Sequence, residues 1–301
     1  MIIIDIFAVL IIKKGTHNNT MNQKPIVAIM YDFDKTLSPK DMQEYGFISG
    51  LGMDSDEFWE KSRINMVTHN MDQILAYMLT ILQEAKDKML LTRDVFNELG
   101  KDVKLFNGLK TWFKRVNEYG EKLGVEVEHY IISSGLKEII EGTEIAREFK
   151  EIYAAGYCYN DKNIPIWPAM AVNYTSKTQF LFRINKGVLD VTEHKGLNES
   201  TPEDKKRVPF RNMIYIGDGL TDVPCMKLVK GNGGNSIAVY YEEKETADSL
   251  IAQGRVDFAV KADYSENSEM EEIIFAILDQ IRAVNIIIEK QNEQMKKIKF
   301  N

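Results

Sequence analysis

Two strand-like runs that end in carboxylates dominate the pattern of apolar and polar positions along this 301-residue chain. Ile26-Val27-Ala28-Ile29-Met30 leads into Asp32-Phe33-Asp34-Lys35-Thr36-Leu37, and Asn212-Met213-Ile214-Tyr215-Ile216 leads into Gly217-Asp218-Gly219-Leu220-Thr221-Asp222. Apolar runs of this length predict strands buried on both faces, as in parallel sheets. Acids at their ends then sit at the carboxyl rim, where open α/β sheets bind ligands. Further strands are predicted over 125–132, 151–155, 236–240 and 257–260. Helices are predicted over 109–123, from 136, and over 177–185, 222–229, 243–253 and 268–288. Strands alternating with helices predict an α/β fold, a doubly wound parallel sheet covered on both faces.

From 38 to 106 the pattern is helical instead. Asp54-Ser55-Asp56 offers an N-cap ahead of Phe58-Trp59, and Ile74, Leu75, Met78, Leu79 and Leu82 recur at helical spacing. The expected organisation is a core over 22–40 and 106–288 with an inserted helical cap over 41–105. Residues 1–12 are nearly all apolar, but a spanning helix needs about 20 such residues, and the basic start of a secretory signal is missing. Met21 stands just ahead of the first strand, so 1–21 reads as an N-terminal extension. The polar and aromatic stretch around Pro165 and Pro168 has no readable pattern, and 191–208 reads as a solvated loop. Gly231-Asn232-Gly233-Gly234-Asn235 precedes a strand, which makes it a connection rather than a phosphate loop. The Lys- and Glu-rich 289–299 reads as a solvated helix end.

A net charge of −7 argues against nucleic acid or an anionic membrane as partner, since both select clustered Lys and Arg. It leaves a small anionic substrate open. Cys158 and Cys225 lack metal-ligand spacing and read as reduced, buried thiols of a reducing, cytoplasmic compartment. His17, His69, His129 and His194 share no ligand spacing and are assigned no chemistry.

Taken alone, Asp-x-Asp reads equally well as a surface turn. Its company changes that. Asp-Phe-Asp-x-Thr-Leu, then Ile131-Ile132-Ser133-Ser134-Gly135, a lysine, and Gly-Asp-Gly-x-x-Asp, in this order and each behind an apolar run, resemble the haloacid dehalogenase superfamily from Ile26 to Asp222. The resemblance implies phosphoryl transfer through an aspartyl-phosphate, with Asp32 as nucleophile and Asp34 as the acid that protonates the leaving alkoxide and then deprotonates water. An acid at 34 fits the superfamily's phosphatases and phosphomutases rather than its dehalogenases. Mg²⁺, a hard cation that prefers oxygen ligands, is the implied cofactor. Its implied ligands are the Asp32 carboxylate, the Asp34 backbone carbonyl and the Asp218 carboxylate, with Asp222 at the metal or one shell out.

Ser133, or failing it Ser134, is expected to offer a hydroxyl and free backbone N–H groups to a phosphoryl oxygen at a helix start, with Gly135 allowing close approach. Thr36 is expected to add its hydroxyl or backbone to the same loop. For the cation, Lys177 opens a predicted helix, where the dipole disfavours positive charge and so demands an anionic partner, whereas Lys186 sits favourably at the other end. Phe47, Phe58, Trp59 and Tyr77 read as core, and Lys61 and Arg63 as a solvated face. The expected function is Mg²⁺-dependent hydrolysis of a small phosphorylated metabolite, in the phosphoserine-phosphatase-like branch, whose cap residues find no match here. The alternatives are a phosphotransferase or phosphomutase on the same site, or a non-catalytic binding protein on the same fold.

Overall fold

The computed structural model describes residues 24–202 and 205–299. The apolar start and the 1–21 extension lie outside them. Strand β1 (Ile26–Tyr31) forms the centre of a seven-stranded sheet, flanked by β2 (Glu126–Leu136) on one side and β5 (Met213–Gly217) on the other. Beyond β2 lie β3 (Glu151–Tyr159) and β4 (Pro165–Met170); beyond β5 lie β6 (Asn235–Tyr240) and β7 (Phe258–Lys261). All pairs are parallel except β3–β4, which is antiparallel.

Alternation along β1 explains the layers. Val27, Ile29 and Tyr31 face one core with α5 (Leu109–Leu123) and α11 (Glu269–Lys299), whereas Ala28 and Met30 face a second core with α7 (Lys177–Lys186), α9 (Val223–Gly231) and α10 (Glu245–Ala252). Tyr31 pairs with both Ile131 and Ile216, so Asp32, Ser133 and Asp218 lie within two residues of that level at one rim. The strand order switches direction at β1, which opens a crevice there.

Between β1 and α5 every regular element is helical: a 3-10 turn at Met42–Tyr45, then α1 (Phe47–Gly50), α2 (Ser55–His69), α3 (Gln73–Ala85) and α4 (Arg93–Gly100). Side-chain caps set their starts. Asp54 accepts from Glu57 N at 2.8 Å, Asp72 from Ile74 N at 2.8 Å, and Thr92 from Val95 N at 3.2 Å. Phe47, Phe58, Met78, Ile81 and Phe96 are fully buried in the same core as Tyr31, and Phe96 stacks on Tyr157 of β3 at 5.9 Å. Each such side chain contributes roughly 1.5–3 kcal/mol on burial. A hydrogen bond contributes a net of about 1 kcal/mol. Apolar packing therefore seats these helices and polar links set their position.

Four expectations need correction. The stretch around Pro165 and Pro168 is β4, an antiparallel edge strand, where a missing N–H is tolerated. Strand β2 continues past Ser133 to Leu136, and the helix behind it, α6 (Lys137–Glu141), is short. Helix α11 runs on past the expected bound of 288 to Lys299, so that 289–299 is its exposed end, as expected, sustained by good helix formers. Both cysteines are free thiols, but only Cys225 is buried; Cys158 lies half-buried where β3 meets β4. Among the described residues no helix is long and apolar enough to cross a membrane.

Candidate active site

At the rim, Asp32 N donates to Ile216 O at 2.9 Å, which carries the β1–β5 pairing one residue beyond the strand and fixes where the Asp32 carboxylate begins. Lys177 at the first turn of α7 reaches it from 145 residues away. Its ammonium donates to Asp32 Oδ1 at 2.9 Å and to Asp222 Oδ1 at 2.7 Å, with all three side chains buried. The anionic partner that the helix dipole demands is thus a pair of carboxylates. Lys186, at the far end of α7, instead donates to the carbonyls of Leu197 and Glu199.

Asp222 also accepts from Tyr215 OH at 2.7 Å, yet its other oxygen, Oδ2, is buried with no hydrogen-bond partner. Gly217 makes room for it: a Cβ there would lie 2.5 Å from that oxygen. Oxygens of Asp32, Asp218 and Asp222 lie within 4.8 Å of one another. An all-oxygen cluster of carboxylates with an orphaned buried oxygen is a donor set that fits a hard divalent cation such as Mg²⁺.

The electrostatics agree. Burial pushes the Asp32 carboxyl up to about 6 and the Asp222 charge adds to the rise, while Lys177 pulls the other way. Burial and the charges of Asp222 and Asp32 raise Asp218 well above the usual carboxylate range. For Lys177, burial favours the neutral amine, but the charges of Asp222 and Asp32 outweigh it and hold the ammonium well above its ordinary value. Like charges crowded out of water are costly unless a cation compensates them.

The Asp34 carboxylate is not part of that triad. Its Oδ1 accepts from Met42 N at 2.7 Å, and burial together with the charges of Asp41 and Asp32 raises it well above the usual range. Lys35 takes a left-handed backbone (φ 57°), which turns the chain between the Asp34 and Thr36 side chains, and it pairs with Asp41 at 3.0 Å.

Ser133 and Ser134 line the same cavity as Asp32 and Asp34, but they lie in extended chain four and three residues ahead of α6 rather than at a helix start. The Gly135 N–H is taken by Ser133 Oγ at 3.0 Å, and what packs against Gly135 is the Met42 side chain. Thr36 is fully buried, with its hydroxyl unpartnered and its carbonyl accepting from Tyr264 OH at 2.7 Å. It is not among the residues that line the cavity.

That cavity, about 390 Å³, opens over Asp32. Part of its wall comes from the helices before α5: Gln43, Trp59, Gln73, Ile74 and Tyr77. Two polar links hold this wall in place. Tyr77 OH donates to Ser134 O at 2.7 Å, and Asn173 Nδ2 donates to Asp72 Oδ2 at 2.9 Å. Tyr77 is buried in the core and Trp59 packs against it, as periodicity reads them, yet both also line the cavity; Gln43 is passed over altogether, because nothing local marks which residues of a helix will face a cavity. Phe47 and Phe58 are core, and Lys61 and Arg63 pair with Glu84 and Glu60 on the outer surface.

No protein-family model matches the chain. An uncharacterized protein of Borreliella burgdorferi is 27% identical to it over 281 residues, covering 83% of this chain and 96% of its own. Among solved structures, a probable phosphoserine phosphatase of Vibrio cholerae aligns at TM-score 0.54 and 12% identity, covering 87% of this chain and 67% of its own. A substrate-bound phosphoserine phosphatase aligns at TM-score 0.51 and 13% identity, covering 84% and 98%. A HAD family hydrolase of Salmonella enterica serovar Typhi aligns at TM-score 0.51 and 16% identity, covering 78% and 67%. The fold is that of the haloacid dehalogenase-like hydrolases, in the form that phosphoserine phosphatases share.

Proposed function

We propose that this protein is a phosphatase that hydrolyses a small phosphorylated metabolite through an aspartyl-phosphate on Asp32. The observation that carries the reading is the meeting of Asp32, Asp218, Asp222 and Lys177 at one rim of the sheet, under a cavity that Asp34 also lines. Asp32 attacks phosphorus, and the bond to the leaving oxygen breaks as the Asp34 carboxyl gives that oxygen its proton. Asp34, now a carboxylate, takes a proton from water; the resulting hydroxide attacks phosphorus, and the phosphorus–Asp32 bond breaks to free inorganic phosphate. Lys177 holds the Asp32 carboxylate in place throughout, and Ser133 Oγ, released from the Gly135 N–H, can donate to a phosphoryl oxygen.

Asp32, Asp218 and Asp222, with the Asp34 carbonyl, are the groups that would hold Mg²⁺, which when bound supplies positive charge to offset the crowded carboxylates and the phosphoryl oxygens. Helices over 41–105 serve as a cap that excludes bulk water from the cavity. Two free thiols suit the reducing conditions of the cytoplasm.

The purified chain is expected to release phosphate from 4-nitrophenyl phosphate in the presence of Mg²⁺ and to stop when the metal is chelated. Asp32→Asn should lower kcat by at least about a thousandfold, as loss of a nucleophile does elsewhere. A variant that retains a near-normal rate would rule out Asp32 as the nucleophile.

A further inference from the structure

Among the described residues that line it, the cavity carries no cation without an acidic partner. Its cations are Lys35, paired with Asp41 at 3.0 Å, and Lys177, held by Asp32 and Asp222. What remains is aromatic and amide surface. Trp59 and Tyr77 meet edge to face at 6.1 Å, and the indole N–H of Trp59 makes no hydrogen bond among the described residues. Gln43 is only 2% exposed, and its Oε1 is a buried acceptor without a donor.

Aromatic walls favour flat rings, by stacking and by the apolar area they bury. A leaving group with its own ammonium and carboxylate would instead lose hydration there, and the counter-charge for its carboxylate would have to be drawn from the Lys35–Asp41 pair. Resting on the phosphatase reading above, we propose that the substrate is a phosphomonoester whose leaving group carries an uncharged planar ring seated against Trp59 and Tyr77. Phosphorylated amino acids are then poor substrates, although the fold is shared with phosphoserine phosphatases.

Such a ring arrives either as a nucleobase or as a simple aryl group, and kcat/KM for a short set of probes separates the two. Adenosine 5′-monophosphate, 4-aminophenyl phosphate and O-phospho-L-serine are compared on wild-type protein and on Trp59→Leu and Trp59→Phe. At least one ring ester should exceed phosphoserine tenfold or more, and that ratio should fall at least fivefold in Trp59→Leu and far less in Trp59→Phe, which keeps a ring at this position. Ratios taken within one preparation are independent of how much of a variant is folded. Whichever ring ester leads identifies the source of the ring. Phosphoserine turned over as well as both ring esters, or a ratio that Trp59→Leu does not move, overturns the inference and leaves the phosphatase reading standing. Hydrolysis of none of the probes, nor of 4-nitrophenyl phosphate, removes that reading and this inference together.

Discussion

His129 lies on β2, one strand from Asp32, and its protonation state is written in its partners. Trp112 Nε1 donates to Tyr31 OH at 2.9 Å, Tyr31 OH lies 3.0 Å from His129 Nδ1, and His129 Nε2 lies 3.0 Å from Asn117 Oδ1. Every donor finds an acceptor only if Nδ1 accepts and Nε2 carries the proton, so the ring is neutral. Burial pushes it down to about 3, against the pull of the Glu128 charge. The unfolded chain takes up a proton below about pH 6.5 that the native chain refuses. His129 therefore favours unfolding as pH falls from 6.5 toward 3, by about 1.4 kcal/mol per pH unit for one proton, and leaves stability untouched above that range. Asp32, Asp34 and Asp218, raised rather than lowered, act with the opposite sign. The difference between wild type and His129→Gln isolates the histidine. Denaturant titrations should show the variant gaining on wild type as pH drops from 6.5 to 5, and equal slopes against pH in both proteins would refute the neutral buried ring. Nothing in the sequence around His129 foretells this, since its partners are 12 and 98 residues away.

At the scale of elements, helix starts are largely local chemistry and so can be read in advance, as Asp54 ahead of α2 illustrates. Asp72 has a second task that no local pattern reveals. One carboxylate oxygen caps α3, while the other accepts from Asn173 beside α7, tying the cavity wall to the core. Asp72→Ala and Asp54→Ala should each cost about 1 kcal/mol in unfolding titrations, the usual cost of losing an N-cap. Only Asp72→Ala is expected to raise KM as well, by severalfold, because only it releases the wall. Equal KM values in the two variants would mean that the Asp72–Asn173 link does not position the cap. The β4 edge was unreadable for a related reason. Its two prolines resemble loop residues, and only the absence, among the described residues, of a further strand beside it makes them tolerable.

For the whole molecule, the dominant electrostatic fact is the concentration of acids at one rim of the sheet, met by the buried Lys177 ammonium. A divalent cation that binds this cluster only in the native state should stabilise the fold by about 2.7 kcal/mol at a hundred times its Kd. Mg²⁺ should accordingly raise the Tm of wild type by several degrees and that of Asp218→Asn far less. A Tm unchanged by Mg²⁺ in wild type would count against a metal at this cluster.

The apolar runs, their acidic ends and the alternation of strand and helix were legible in the sequence alone, because periodicity and strand-end chemistry are properties of neighbouring residues. They were enough to predict an α/β sheet and to place Asp32 and Asp218 on its carboxyl rim. Tertiary structure alone decided that Lys177 lies between Asp32 and Asp222, that Ser133 stands in a strand and that Thr36 turns inward. It alone made Trp59, Tyr77 and Gln43 a wall. Each of these depends on residues tens to hundreds of positions apart meeting across a sheet or a cavity, and a contact of that kind leaves no period in the chain.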